Sequence, residues 1–265
     1  MRKTLYFENI NILHGPDQEV INDSLLIIDG KIKAFGEEAK KEALKKNIEV
    51  SESANKLVAP LLVDSHSTLK DPLTGSDDNL KSLKARAKKS GFGAVAILPD
   101  SNNWRDKPEK IPYQSNDLSD INIFFWGSFS LKDEGKLLSP HYELLESGSI
   151  GFSTTNFFDT SIIFKGLILN DVKTHPILFK SIKNNLSQKG IVIKDLKSLQ
   201  SGFYTIDNYS ELYEVRKILE IQKNFPDNNL IIKNISDSNS LDEIKNKNIQ
   251  IYTTISWWNL IADTN

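Results

Sequence analysis

Apolar residues fall in short runs along this chain, and the rhythm of those runs changes near Leu57. Before that point the pattern is β. Thr4 to Ile10, Ser24 to Ile28 and Lys31 to Phe35 are apolar-rich stretches, and Asp29-Gly30 separates the last two. A type I′ turn needs positive φ at both central residues, which Asp-Gly tolerates, so a hairpin is predicted there. Glu37 to Lys46 is charged and contains alanines, which predicts a short helix. This segment is small for a core of its own and is expected to pack on something else.

After Leu57, short strands alternate with helices. Strands are predicted at Leu61–Asp64, Ala94–Leu98, Ile121–Trp126, Ile150–Ser153, Ile177–Phe179, Leu230–Lys233 and Ile249–Thr254. Helices are predicted at Asn79–Ser90, from Ser139-Pro140 to Gly148, and at Thr160–Leu169, Ser210–Asn224 and Leu241–Lys247. Ser139 reads as an N-cap with Pro140 at the first helical position. Such alternation means βα units and a parallel sheet. The fold class expected is therefore α/β, a (β/α)8-type TIM barrel of which seven strands are readable.

Composition narrows the function classes. The 265 residues suit one large domain with an appendage, here divided as 1–57 and 58–265. Hydrophobic residues make up 39% and charged residues 26%, enough for a real core. The net charge of -2 lacks the basic excess of a nucleic-acid binder. With no cysteine there is neither a disulfide nor a thiolate metal ligand. No apolar run approaches the ~18 residues a spanning helix needs, and no signal-peptide pattern is visible. A cytoplasmic protein without a membrane or nucleic-acid partner is expected. His14, His141 and His175 are isolated and expected at the surface. Lys81 to Lys89 reads as a solvated helix face. No nucleophile elbow, phosphate loop or His-Glu-x-x-His occurs.

Several segments, in order, carry a resemblance. Leu57-Val-Ala-Pro-Leu-Leu-Val-Asp64-Ser-His66-Ser-Thr68-Leu-Lys70-Asp71-Pro72 resembles the barrel entry of dihydroorotases and hydantoinases, an apolar strand followed by Asp-x-His-x-His, an apolar residue, Arg and, in dihydroorotases, Asp-Pro. Ser90-Gly-Phe-Gly-Ala-Val-Ala-Ile-Leu98-Pro99-Asp100-Ser101 resembles that family's Gly-Gly-Phe-Thr-Thr-Val to Met-Pro-Asn-Thr segment, with Asp106 where an Asp follows. Gly151-Phe152-Ser153-Thr154-Thr155 resembles Gly-Phe-Ser-Asp-Asp, and Pro176-Ile-Leu-Phe-Lys180 the strand ending in a metal-binding His. Leu230-Ile-Ile-Lys-Asn234-Ile-Ser236 resembles the strand ending in His-x-Ser, and Ile255-Ser256-Trp257-Trp258-Asn259-Leu260 lies where the family has Thr-Pro-His-His-Leu. The chain thus resembles a dihydroorotase of the amidohydrolase superfamily. That resemblance implies an N-terminal half of a composite β-sandwich beside the barrel. It also implies an eighth strand beyond Asn265, so the chain reads as a fragment of a longer product, with a natural truncation completed by another subunit as the alternative.

The resemblance also implies a zinc-dependent hydrolysis of a cyclic amide, with His or carboxylate ligands. Of the matched ligand positions only His66 keeps its type. The others are Thr68, Thr154 or Thr155, Lys180 and Asn234, with Lys194 as the rival register for Lys180. An ammonium repels a dication, so no metal and no cofactor is expected, and zinc only if the chain is active. The substrate-clamping Arg is Lys70, which loses the bidentate fork, and the Asn after Pro is Asp100. His66, Lys70, Asp100, Lys180 and Asn234 are the candidate binding residues of a degenerate pocket, and the matched ligand positions are expected at the C-terminal mouth of the barrel. Lys180 reads either as a strand-end lysine reaching solvent or as an ammonium in the vacated metal position paired with Asp64 or Asp100. Trp257-Trp258 reads as core or rim packing. Three functions stay open: an inactive dihydroorotase homologue acting as a scaffold, with aspartate transcarbamoylase or itself as partner; an active cyclic amidohydrolase; and a small anion-binding module.

Overall fold

The computed structural model describes residues 4–15, 17–69, 77–100, 103–112, 121–154, 160–169, 173–181, 192–193, 199–202, 204–206, 209–247 and 249–261. The chain divides into two compact units, Met1–Leu62 and Val63–Asn265.

The first unit is a mixed sheet. Its strands are β1 (Leu5–Ile12), β2 (Ile21–Ile28), β3 (Lys31–Phe35), β4 (Val50–Ser51) and β5 (Leu57–Val58), with helix α1 at Gly36–Lys45. The order is β3-β2-β1-β4, and β5 also pairs with β1. The hairpin turn between β2 and β3 has φ 55° at Asp29 and 77° at Gly30, the pair of positive values expected of a type I′ turn. Alternation along the strands gives two apolar faces. α1 covers one of them, packing Ala39 and Ala43 against Tyr6, Leu26 and Ala34. Ile10, Ile12 and Leu25 gather on the other. One face of this sheet therefore finds its cover within the unit.

The second unit is a curled parallel sheet of seven strands, a half-barrel. The strands are β6 (Leu62–Ser67), β7 (Phe92–Ile97), β8 (Asn122–Ser128), β9 (Ser149–Ser153), β10 (Ile177–Lys180), β13 (Leu230–Lys233) and β14 (Tyr252–Thr253). They lie in the order β14-β13-β10-β9-β8-β7-β6. A separate parallel pair, β11 (Val192–Ile193) and β12 (Thr205–Ile206), lies between β10 and β13 in sequence. The α-helices among the described residues are α2 (Asp77–Lys89), α3 (His141–Glu146), α4 (Thr160–Ile168), α5 (Tyr209–Asn224), α6 (Ser238–Asn246) and α7 (Trp258–Ile261).

Period-two alternation sorts each strand into an outer and an inner face. On β10 and β13, Ile177, Phe179, Leu230 and Ile232 face outward, packing with Ile163 and Leu167 of α4 and Val215, Ile218 and Leu219 of α5. The same strands turn Leu178 and Ile231 inward, against Ala96, Leu98 and Trp126. Trp126 Nε1 donates to the Ser65 carbonyl at 2.8 Å, linking β8 to β6 across the concave side. Gly151 allows β9 and β10 to approach, because a Cβ there would strike the Pro176 carbonyl oxygen and the Trp126 ring.

Two local expectations fail. α3 begins at His141, its N-cap is Pro140, and no side chain caps it. The Ser139 amide instead bonds the Phe129 carbonyl at 3.2 Å, so Ser139 belongs to the preceding turn. His141 is buried rather than exposed. Its Nε2 faces the Phe129 carbonyl at 2.9 Å and its ring lies against Phe129 and Phe152, with centroids 4.8 and 4.2 Å away. Burial pushes its pKa down, against the Phe129 bond and Glu143. His14 is exposed and His175 half-buried.

Candidate functional site

A cavity of about 820 Å³ opens at the strand C-termini of the half-barrel. His66 and Thr68 from β6 and the turn after it, Lys180 and Ser181 from β10, and Lys233 and Asn234 from β13 line it. Thr254, Ser256 and Trp257 after β14 complete one wall, while Phe92, Leu98 and Pro99 supply apolar surface. Of the sequence candidates, His66, Lys180 and Asn234 thus meet in one cavity, as does Thr68. Lys70, Thr155 and Lys194 lie outside the described residues. Asp100 is not among the lining residues and accepts the Asn103 amide at 3.1 Å in a tight turn. Thr154 is buried, its hydroxyl 3.5 Å from the Leu178 carbonyl.

Asn234 organises the mouth. Its φ of 59° is left-handed, a conformation asparagine adopts more readily than most residues. Its amide donates to Thr254 Oγ1 at 3.1 Å, and its carbonyl accepts from Ser181 Oγ at 3.1 Å. Its Oδ1 lies 3.3 Å from His66 Nε2, and Thr254 Oγ1 lies 3.1 Å from the same nitrogen. An amide oxygen only accepts, so the Asn234 contact is a hydrogen bond in the tautomer protonated at Nε2, while the Thr254 hydroxyl can pair with Nε2 in either tautomer. In the Nε2-protonated tautomer Nδ1, 2.8 Å from Ser65 Oγ, accepts from that hydroxyl. The loop after Asn234 is pinned by Glu211 of α5, which accepts the Ser236 amide (3.0 Å), the Ser236 hydroxyl (2.6 Å) and the Asp237 amide (3.0 Å). Asp237 in turn caps α6 by accepting the Asn239 amide.

Sequence reading missed Lys233 and Asp133. Lys180 and Lys233 are register partners on neighbouring parallel strands, so both side chains leave the same, inner face. Lys233 is only 5% exposed, and its Nζ donates to Ser153 Oγ at 3.3 Å. Burial pushes its amine down to about 8; Asp133 draws it up and Lys180 pushes it further down. Lys180 is also lowered by burial, with Asp133 opposing. The carboxylate acting on Lys180 is thus Asp133, from the loop after β8, where sequence pointed to Asp64 or Asp100. Asp133 is buried, and it and Lys132 hold φ of 54° and 51°. Two successive left-handed non-glycine residues cost roughly 1–2 kcal/mol each, strain that the surrounding bonds must hold. Lys132 is fixed by its amide, which donates to Asp106 Oδ2 at 2.8 Å. Asp106 also takes Lys110 Nζ at 2.7 Å. Burial alone would raise its pKa, but Lys110 and the Lys132 amide leave it lowered.

Zinc, the metal that the resemblance implies, does not fit these side chains. It takes imidazole, thiolate or carboxylate donors. Among the described residues no three His, Cys, Asp or Glu side chains are placed to share an ion. His66 Nε2, the nitrogen that faces the other candidates, lies within hydrogen-bond distance of Asn234 Oδ1 and Thr254 Oγ1, and Lys180 and Lys233 line the same cavity.

No family model matches the chain. It is 24% identical over 225 residues to a dihydroorotase of Elusimicrobium minutum, covering 83% of this chain and 51% of that protein. It is 23% identical over 234 residues to a probable dihydroorotase-like protein of Synechocystis, covering 78% of this chain and 53% of that one. The chain spans about half the length of these curated relatives. In fold it is similar to the N-acyl-D-glutamate deacylase of Bordetella bronchiseptica, solved with zinc and a phosphonate inhibitor. That match has a TM-score of 0.53 at 12% identity and covers 95% of this chain and 58% of that one. The half-barrel shares its fold with that deacylase. In sequence the chain is similar to these dihydroorotases over about half their length.

Proposed function

We propose that this chain is a non-catalytic dihydroorotase homologue, cytoplasmic, that serves as a scaffold or partner-binding subunit. The observation that carries this reading is the Lys180–Lys233 pair on the inner face, where a hydrolytic centre of this class would need metal ligands. An ammonium cannot donate a lone pair to zinc, and it repels one. Amide hydrolysis in this class relies on a metal to activate water and polarise the carbonyl. The lone imidazole facing the lysines is committed to Asn234 and Thr254. Aspartate transcarbamoylase is the partner to try first, on the strength of the family resemblance, and self-association is the second.

Elemental analysis of the protein purified without chelator, together with an assay of dihydroorotate formation, tests the reading. The expected result is sub-stoichiometric zinc and no turnover above background. One or two zinc ions per chain with turnover would overturn it in favour of an active cyclic amidohydrolase, the reading that the names of the curated relatives favour. Co-elution with aspartate transcarbamoylase, or its absence, decides between the two partners.

A further inference from the structure

We propose that His66 is a clasp that fastens the first strand of the seven-stranded sheet to the last across the mouth of the half-barrel. β6 and β14 are the two ends of the strand order, and among the described residues no strand pairing joins them. An outer strand has a backbone partner on one side only. The His66 ring supplies a tie on the other side. Its Nε2 lies 3.1 Å from Thr254 Oγ1, directly after β14, and 3.3 Å from Asn234 Oδ1, directly after β13.

Both ends of the tie are held before the ring spans them. On the β6 side, Ser65 Oγ lies 2.8 Å from Nδ1, and Asp64 Oδ1 accepts the His66 amide at 3.2 Å. On the far side, Thr254 Oγ1 accepts the Asn234 amide at 3.1 Å, and the Thr254 amide donates to the Ile232 carbonyl at 2.9 Å. Ser181, directly after β10, adds its hydroxyl to the Asn234 carbonyl at 3.1 Å. Groups fixed beforehand lose little freedom on pairing, so a few uncharged bonds suffice to set the spacing. The tie to Thr254 survives a change of tautomer. A proton on Nε2 is donated to the hydroxyl oxygen, and with the proton on Nδ1 the hydroxyl donates to Nε2 while Ser65 Oγ accepts. A metal centre draws strand ends together through a shared ion. Here hydrogen bonds do so for β6, β13 and β14. The clasp sets a distance and adds little to global stability. It rests on the non-catalytic reading in one respect, that no ion competes for Nε2.

The test is a distance measurement on the full chain. The sequence has no cysteine, so nitroxide labels can be confined to Val63→Cys on β6 and Tyr252→Cys on β14, both at exposed positions. Their separation is read by electron spin resonance. His66→Phe fills the space without a nitrogen and is expected to lengthen the separation by on the order of 5 Å, one strand spacing. His66→Gln, whose amide reaches about as far as Nε2, should keep the native distance. Thr254→Val removes the contact to the last strand alone and should also widen the gap. It gives a second reading if His66→Phe does not fold, as judged by circular dichroism. A label pair at Tyr213 and Glu220, both on α5, should keep its distance in every variant, and a chelator should leave the native separation unchanged. A native separation in folded His66→Phe or Thr254→Val, widening in His66→Gln equal to that in His66→Phe, or a shift of the α5 pair as well would overturn the proposal. So would widening on chelation. Zinc found by elemental analysis in a chain whose gap responds to these substitutions but not to chelator refutes only the non-catalytic reading. A zinc-free chain whose gap ignores them refutes only the clasp.

Discussion

Arg105 and Lys233 are both buried cations, 4% and 5% exposed, yet their surroundings differ in kind. The Arg105 guanidinium donates to two main-chain carbonyls, Trp126 at 3.0 Å and Ile97 at 3.1 Å, and lies over the Phe125 ring at 5.3 Å. Burial lowers it to about 10, still far above neutral. Its partners are fixed and oriented, so it acts as a rivet between β7 and β8. Lys233 has one long hydrogen bond, a neighbouring cation and an acid it shares with that neighbour. A buried charge with its own acceptors belongs to the architecture. A buried charge that competes for an acceptor is kept at a cost to stability.

The contrast can be broken most sharply at Arg105. Arg105→Met would orphan two buried carbonyls at roughly 1–3 kcal/mol each, so we expect a loss of about 3–5 kcal/mol in urea unfolding. A loss below about 1 kcal/mol would show that Arg105 is no rivet. Lys233→Met should move the other way, gaining on the order of 2–3 kcal/mol at neutral pH, since a pKa unit is worth about 1.4 kcal/mol. The sign follows from linkage. The folded pKa of about 8 lies below the ordinary 10.5, so between them the unfolded chain holds more protons. The Lys233 penalty is full below pH 8 and is relieved as pH rises toward 10.5. Unfolding curves for wild type and Lys233→Met should therefore converge across that window, and parallel curves would contradict the shift. Asp133→Asn, which leaves the lysines facing each other, should cost about 1–2 kcal/mol at pH 7 and less at pH 9. His66→Ala, removing a half-buried ring at the mouth, should cost under about 1 kcal/mol, and a loss several times larger would make that ring structural.

Much of the fold was legible because it rests on local chemistry. The hairpin at Asp29-Gly30 follows from tolerance of positive φ, and strands such as Ile177–Lys180 follow from apolar runs that only a two-sided sheet can bury. The convergence of His66, Lys180 and Asn234 was legible from the order of the segments that resemble dihydroorotases. The depth of Lys233 was not. A lysine at a strand end reads alike whether it reaches water or the interior. One signal was available: Ile-Leu-Phe-Lys and Leu-Ile-Ile-Lys place a lysine at the same strand position, so period two puts both on one face. Asp133 lay beyond local reading because two left-handed residues in a loop aim it. His141 was misread for a similar reason, since the rings that bury it come from elsewhere in the chain.

The bond from Trp126 to the Ser65 carbonyl joins the first and third strands of an arc, passing over the small Ala96 of the strand between. A chord of fixed length sets the radius of its arc. The curvature of this sheet is thus held from its hollow side, independently of whatever meets its two margins. The distance across the mouth, from the imidazole of His66 to the amide of Asn234, inherits that radius. The spacing of the lysines relative to the opposite wall is in this sense the work of an indole that carries no charge at all.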